Sequence, residues 1–316
     1  MFKFDFKRSF FSFSADTTLQ AFEHSSSKTK LNQRIKDDAL DIDAIPQYAL
    51  SLEIGNDGFR CAIVDTEVNR CLWLEDYRFT SVFFPEQVVD QLNSIFDEHQ
   101  LLHAGFWQKV RVSFKNQHFT LIPESLFKRE YADGYLRFSA ESLKDTEEVF
   151  FYQHANREIV NVFAGEKKVA DWFRTTYPSR NVSFVHHTSA FIEGVLQHED
   201  YVPARSISIL VESSYLTVLV TNNYLVEYCN TFFYLSAQDF IYYVMLVMDE
   251  LRLNPDSCRV TLYGEISHDS AIHDVLYKYI RNISFGSKPT ALKFSFQFDE
   301  MMDHRYFDVF NAYLCD

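Results

Sequence analysis

The acidic run Asp37, Asp38, Asp41 and Asp43 places four oxygen ligands within seven residues. A calcium loop also needs a central glycine for its sharp turn and a terminal glutamate. The run has neither at that spacing, so it reads as a solvated linker. His186 and His187 are adjacent at the start of a predicted helix, where neighbouring side chains diverge, and capping or burial is their expected role. His268 and His273 stand five apart, a poor spacing for a shared ligand set. The five cysteines, Cys61, Cys71, Cys229, Cys258 and Cys315, form no close pair. That pattern gives no support for a disulfide framework or zinc knuckle and makes a reducing cytoplasm the expected setting. No CxxC, HExxH or Gly-x-Ser-x-Gly pattern occurs, so nucleophilic and zinc chemistry have no motif to rest on.

Composition narrows the classes further. Eight glycines in 316 residues disfavour chemistry built on several glycine-rich phosphate loops. The hydrophobic fraction of 47% and charged fraction of 23% are those of a globular chain, and no uncharged apolar run reaches the ~18 residues of a membrane span. Lys3, Asp5, Lys7 and Arg8 interrupt the N-terminal phenylalanines where a signal peptide needs a continuous apolar stretch. Residues 1–36 hold seven Lys/Arg against three acids, a net of +4, leaving −18 on the remainder. Such a body repels phosphate backbones, and nucleic acid is an unlikely partner except through the basic arm. Most of the 32 phenylalanines fill volume between sheets and helices. Phe10, Phe11, Phe13 and the pair Tyr242 and Tyr243 exceed what one buried face takes, and they are candidates for arm docking or self-association.

The elements that position any site repeat once along the chain. Strands are expected at Ala49–Ile54, Phe59–Asp65 and Cys71–Phe79, with turns at Asn56-Asp57-Gly58 and around Asn69. A second triplet is expected at Ser206–Glu212, Tyr215–Thr221 and Leu225–Phe233, turning at Ser213-Ser214 and Asn222-Asn223. Each triplet runs into an amphipathic helix, one opened by Pro85 and the other by Ser236, and then into a strand, Lys109–Phe114 or Arg259–Tyr263. The first half continues with helix Lys167–Thr175, strand Asn181–Val185 and helix Ser189–Gln197, after an insertion of roughly residues 116–165 with a hairpin turning at Asn156. The second half continues with helix Asp269–Ile280, strand Leu292–Phe298 and a C-terminal helix carrying Phe307, Phe310 and Leu314. The expected organisation is a basic extension over residues 1–46, a first lobe over 47–200 and a second over 201–316.

This duplicated βββαβαβα order in an α/β chain resembles the actin-like ATPase fold of the ribonuclease-H-like class, in which two lobes close around a nucleotide. It is similar to bacterial actin-like proteins of the pilus-assembly and cell-division kind. With the pieces LIPESLF and VHHTSAFIEGVLQ, residues 47–316 also resemble a bacterial family with that fold and no assigned function. The resemblance implies a candidate nucleotide cleft made of Glu53, Gly55, Asn56, Asp57 and Arg60 in the first hairpin, Glu212, Ser213 and Ser214 in the second, and Gly264 with Glu265 after a later strand. The cofactor it implies is ATP with Mg²⁺. Three departures argue against tight binding. Glu53 replaces the commoner Asp, serine stands where the second hairpin's glycine is expected, and Glu265 takes the place of a second glycine near an anion. No catalytic or metal-ligating residue is assigned.

The leading expectation is therefore a cytoplasmic actin-like scaffold or protein-interaction module with little or no ATPase activity. The alternative is an active Mg-ATP switch in which Glu53 or Glu212 organises the metal through water and Arg60 offsets phosphate charge. A metal-dependent nuclease, using Glu53 with Asp57 and Asp65, comes third because the acidic body disfavours its substrate.

Overall fold

A computed structural model describes residues 28–80, 82, 84–139, 143–155, 158–178, 182–198 and 200–315. The aromatic arm residues Phe10, Phe11 and Phe13, the basic residues before Lys28, and the turn at Asn156 lie outside them.

The first hairpin strands are β1 (Lys28–Lys36), β2 (Tyr48–Ile54), β3 (Gly58–Asp65) and β4 (Arg70–Thr80), followed by helix α1 (Pro85–Glu98) and β5 (Lys109–Phe114). The insertion supplies β6 (Phe119–Pro123), α2 (Ala132–Ser139), β7 (Glu147–His154) and β8 (Ile159–Glu166). Then come α3 (Lys167–Thr176), β9 (Val182–His186) and α4 (His187–Gln197). The second unit runs β10 (Ser206–Val211), β11 (Tyr215–Asn222), β12 (Leu225–Phe233), α5 (Ala237–Glu250), β13 (Arg259–Gly264), α6 (Ala271–Tyr279), β14 (Asn282–Phe285) and α7 (Phe307–Asn311).

The first sheet has the order β1-β4-β3-β2-β5-β9 and the second β12-β11-β10-β13-β14. Apart from β1 the two orders correspond strand for strand, with antiparallel hairpins on one side and parallel strands on the other. The turn between β11 and β12 has φ of 49° at Asn223 and 63° at Tyr224, the left-handed pair a two-residue hairpin needs. Ser236 caps α5 by accepting from the Asp239 N–H, and Pro85 occupies the first turn of α1, as their types predict.

Each sheet buries one face under its own helices. Leu50, Leu52 and Phe59 pack with Phe96 of α1 and Phe173 of α3, and Ile207, Ile209 and Val218 pack with Phe240 and Val244 of α5. The opposite faces meet the pair α4 and α7, which joins the lobes. Val309 and Phe310 cover Ala62, Val64 and Leu74, while Phe191, Ile192 and Phe307 cover Leu210 and Leu219. A Cβ on Gly194 of α4 would lie 2.3 Å from Asn311 Nδ2 of α7, so only glycine permits this approach. The insertion forms its own sheet, β6-β8-β7, with Leu136 of α2 against Val160 and Val162. Phe150 at 5.0 Å from Phe184 ties it back to β9.

Three expectations need correction. Residues 28–36 are not a solvated extension: β1 pairs with β4 as the edge of the first sheet. Asp37 is no linker residue either, since it is 1% exposed and held by Arg70 at 2.7 and 3.1 Å; Asp41 accepts from the Asp43 N–H as the cap of a short 3₁₀ helix. The last strand of the second sheet is β14 and not Leu292–Phe298, which contains only a single bridge at Lys293 and a 3₁₀ turn. Phe294 and Phe298 there pack on Phe310, while Phe296 points outward at 74% exposure.

Candidate functional site

Cross-strand pairing sets Glu53 of β2 opposite Arg60 of β3, and Arg60 Nη1 lies 3.0 Å from Glu53 Oε1. The guanidinium then reaches across to the second lobe. It is 3.3 and 3.4 Å from the two oxygens of Glu212 and 2.6 Å from Glu265 Oε1. Asp76 Oδ1 on β4 accepts from its Nε at 3.4 Å, Asp308 Oδ2 on α7 is 3.9 Å away, and the ring of Tyr306 faces the guanidinium at 5.5 Å. Arg60 is 4% exposed. A planar fork of five donors suits such convergence better than a lysine would.

Lys115, the residue after β5, makes the second bridge between lobes, with Nζ 3.0 Å from Asp57 Oδ2 and 2.9 Å from Glu212 Oε2. Arg78 pairs with Glu265 and approaches Asp57 and Asp76 at 3.7 Å. Asn32 of β1 and Tyr306 donate to Asp76 Oδ2 at 2.7 and 3.1 Å, so the added edge strand helps fix the network.

The charges do not balance one for one. Glu53, Asp57, Asp76, Glu212, Glu265 and Asp308 face Arg60, Arg78, Lys115 and Arg305. Burial and the Asp308 charge push Glu53 well above the usual carboxylate range, against the pull of Arg60. Glu53 Oε2 and Asp308 Oδ2 are buried with no hydrogen-bond partner among the described residues. Burial also works against ionised Glu212, yet Arg60 and Lys115 outweigh it and hold the carboxyl well below its ordinary value. Asp57 is lowered in the same way by Lys115, and Asp76 by Arg60 and Arg78, each despite burial. Burial disfavours charge on Arg60 and Lys115, but the surrounding carboxylates raise both.

Two main-chain bonds recur at matching places in the two sheets. The Lys115 N–H bonds Ile54 O at 2.8 Å, and the Glu265 N–H bonds Val211 O at 2.7 Å. The Gly55 N–H bonds Gly58 O at 3.0 Å, and the Glu212 N–H bonds Tyr215 O at 2.8 Å. Lys115 and Glu265 are thus counterparts, as are Gly55 and Glu212. On that register the counterpart of Glu53 is Leu210. It also changes the glycine argument, because neither Ser213 nor Ser214 has positive φ and the second turn needs no glycine on that account.

The structure brings Glu53, Asp57, Arg60, Glu212 and Glu265 into one network. Asn56 and Ser213 are exposed at the turn tips and Ser214 is half-buried, all three outside that network. Gly264 has φ of +86°, and a Cβ there would lie 2.2 Å from Val211 O, so its glycine serves strand packing. Sequence reasoning missed Lys115, Asp76, Arg78, Arg305, Tyr306 and Asp308. For Lys115 a signal existed, since it follows its strand as Glu265 follows β13. The other five follow no motif. Asp65 lies opposite Tyr48 at the far end of the β2–β3 hairpin, so the carboxylate trio weighed for a nuclease does not assemble. Among the described residues no group of three or more His, Cys, Asp or Glu could hold a metal ion. His186 caps α4 by accepting from the Thr188 N–H, and both His186 and His187 are buried.

A nucleotide with its metal does not fit this arrangement of residues. A Cβ added to Gly55 would meet Asp57 Oδ1 at 2.8 Å and Lys115 Cε at 3.1 Å, so side chains already cover the backbone that a phosphate would approach. Glu212 and Glu265 would face that phosphate as like charges.

Comparison with known proteins agrees with the fold. The family described as "Protein of unknown function (DUF3822)" matches residues 37–283, and the chain belongs to that family. The match begins ten residues before the expected lobe boundary at 47, which places Asp37 and the 3₁₀ turn inside it. Among solved structures, a Bacteroides thetaiotaomicron protein described as having an actin-like ATPase fold and unknown function is similar, with a TM-score of 0.74, 19% identity, and coverage of 88% of this chain and 99% of that one. A structure of the PilM-PilN type IV pilus biogenesis complex is similar at a TM-score of 0.56, 14% identity, and coverage of 84% and 97%. The chain therefore has the actin-like ATPase fold. No curated protein matches it in sequence. No helix among the described residues is long and apolar enough to cross a membrane.

Proposed function

We propose that this protein is a non-catalytic actin-like scaffold that holds protein partners, with its two lobes fastened by ion pairs where an ATPase of this fold would hold nucleotide. The observation that carries the reading is Arg60, buried and engaged at once by Glu53 and Asp76 from its own lobe and Glu212 and Glu265 from the other. An incoming triphosphate would have to take Arg60 from those carboxylates, and a buried carboxylate that loses its cation costs several kcal/mol. The pilus complex shows a protein of similar fold working in a protein assembly, and that supports the partner-holding part of the reading. Five cysteines without a disulfide among them suit a cytoplasmic setting.

Calorimetric titration of the full chain with Mg-ATP tests the proposal. The expected result is no binding heat up to millimolar nucleotide. Micromolar binding that is abolished by Gly55→Trp would overturn it in favour of an Mg-ATP switch.

A further inference from the structure

The faces of the two sheets that meet α4 and α7 are covered to different extents. In the first sheet Ser51, Arg111 and Ser183 stand side by side across β2, β5 and β9. That row is closed: Ser51 and Arg111 are buried, Arg111 donates to Ser183, and the C-terminal turn Ala312–Leu314 lies on β2 and β5. In the second sheet the matching row is Ser208, Thr261 and Ser284, across β10, β13 and β14. Here the face is open, and a groove of about 400 Å³ runs between the sheet, the end of α4 and the segment after it.

The three hydroxyls form the floor of the groove. Ser208 is 6% exposed and no described residue bonds its hydroxyl, so a partner for that group has to come from the groove. Arg259 stands two residues before Thr261 on the same face, and its guanidinium makes no ion pair or hydrogen bond with a described residue. Arg205 at the mouth is already engaged, held by both oxygens of Glu227 at 2.6 Å. The walls are apolar, from Val195 of α4, Tyr201 and Tyr263. His198 fixes one end: its Nδ1 accepts from the Asp200 N–H at 3.3 Å and its Nε2 lies 3.2 Å from Lys288 O, which ties the segment after α4 to the segment after β14.

One unpaired cation beside three hydroxyls, with the acids Asp200 and Glu227 near the mouth, suits a ligand with a single negative charge. Aromatic and aliphatic walls suit a planar apolar body, and the volume is that of a small-molecule site. We propose that this groove binds a small aromatic carboxylate, with its anion on Arg259 and the floor hydroxyls and its ring on Tyr201 and Tyr263. The groove lies toward the starts of β10 and β13, whereas Glu212 and Glu265 follow their ends, so the site is separate from the closed cleft.

Amide chemical shifts of the isotope-labelled full chain test the proposal, with phenylacetate as the probe. Millimolar phenylacetate should move the amides of Ser208, Thr261 and Ser284 in a saturable way. Arg259→Met, a change at an exposed side chain, should weaken binding about tenfold, the worth of one charged hydrogen bond. Phenylacetamide, similar in shape and uncharged, should leave the three amides in place. Amides unmoved by phenylacetate, or moved equally by phenylacetamide or in Arg259→Met, would overturn the proposal. Tighter binding of phenyl phosphate than of phenylacetate would overturn the assignment to a singly charged ligand.

Discussion

Lys115 and Glu265 hold the same place in the two lobes with opposite charges, and Gly55 and Glu212 share another place where only the second lobe carries a charge. The main-chain bonds recur at both points, with the residue after each parallel strand bonded to the end of the central strand. The first lobe turns cations into the cleft from Arg60 and Lys115, and the second turns Glu212 and Glu265 to meet them. Two lobes built to share an anionic ligand would both present donors to it. Here the complementarity runs from lobe to lobe, with corresponding strand orders in the two sheets and unlike side chains at these places.

The severest way to break that asymmetry is Arg60→Met. It leaves buried Glu212, Asp76 and Asp308 and half-buried Glu265 without their shared cation, and removal of one partner from such a network typically costs about 3–5 kcal/mol. Urea denaturation should show the loss. Lys115→Met removes one of several cationic bridges between the lobes and leaves Glu212 on Arg60. A loss of about 1–3 kcal/mol, the range for a charged hydrogen bond, is expected in the same assay.

Acid and base should act on the network in opposite senses. Asp57, Asp76 and Glu212 are lowered on folding, so their contribution is complete above the unfolded carboxylate range near ~4 and is lost as pH falls through their folded values. Glu53 is raised, so folding is increasingly penalised as pH climbs from about 4.3 toward its folded value. Glu53→Gln removes that penalty and keeps a partner for Arg60. Its stability to urea should rise at neutral pH, with a flatter pH profile above the ordinary carboxylate range. An unchanged profile would show that Glu53 is ionised in the folded protein.

Much of the architecture was legible from alternation and turn residues. Strands β2 to β5 and β10 to β13 lie within a residue or two of expectation because each alternates or runs apolar between Asn, Gly or Ser turns. β1 was missed because KTKLNQRIK carries only Leu31 and Ile35 as apolar residues, as an exposed edge strand can. β14 was missed because four residues, NISF, signal less than the spaced phenylalanines of 294–298, whose spacing comes from packing on Phe310. In the candidate site, the hairpin residues were found through the resemblance. Their partners Asp76 and Asp308 come from β4 and α7, and only the folded chain brings those to Arg60.

The central claim is that Arg60 and Glu212 bind the lobes to each other. A double-mutant cycle with Arg60→Met, Glu212→Gln and the pair, read by urea denaturation without nucleotide, measures it directly. The account predicts a coupling of about 1–3 kcal/mol, beyond the ~0.5 kcal/mol within which independent sites add. Additive losses would contradict it.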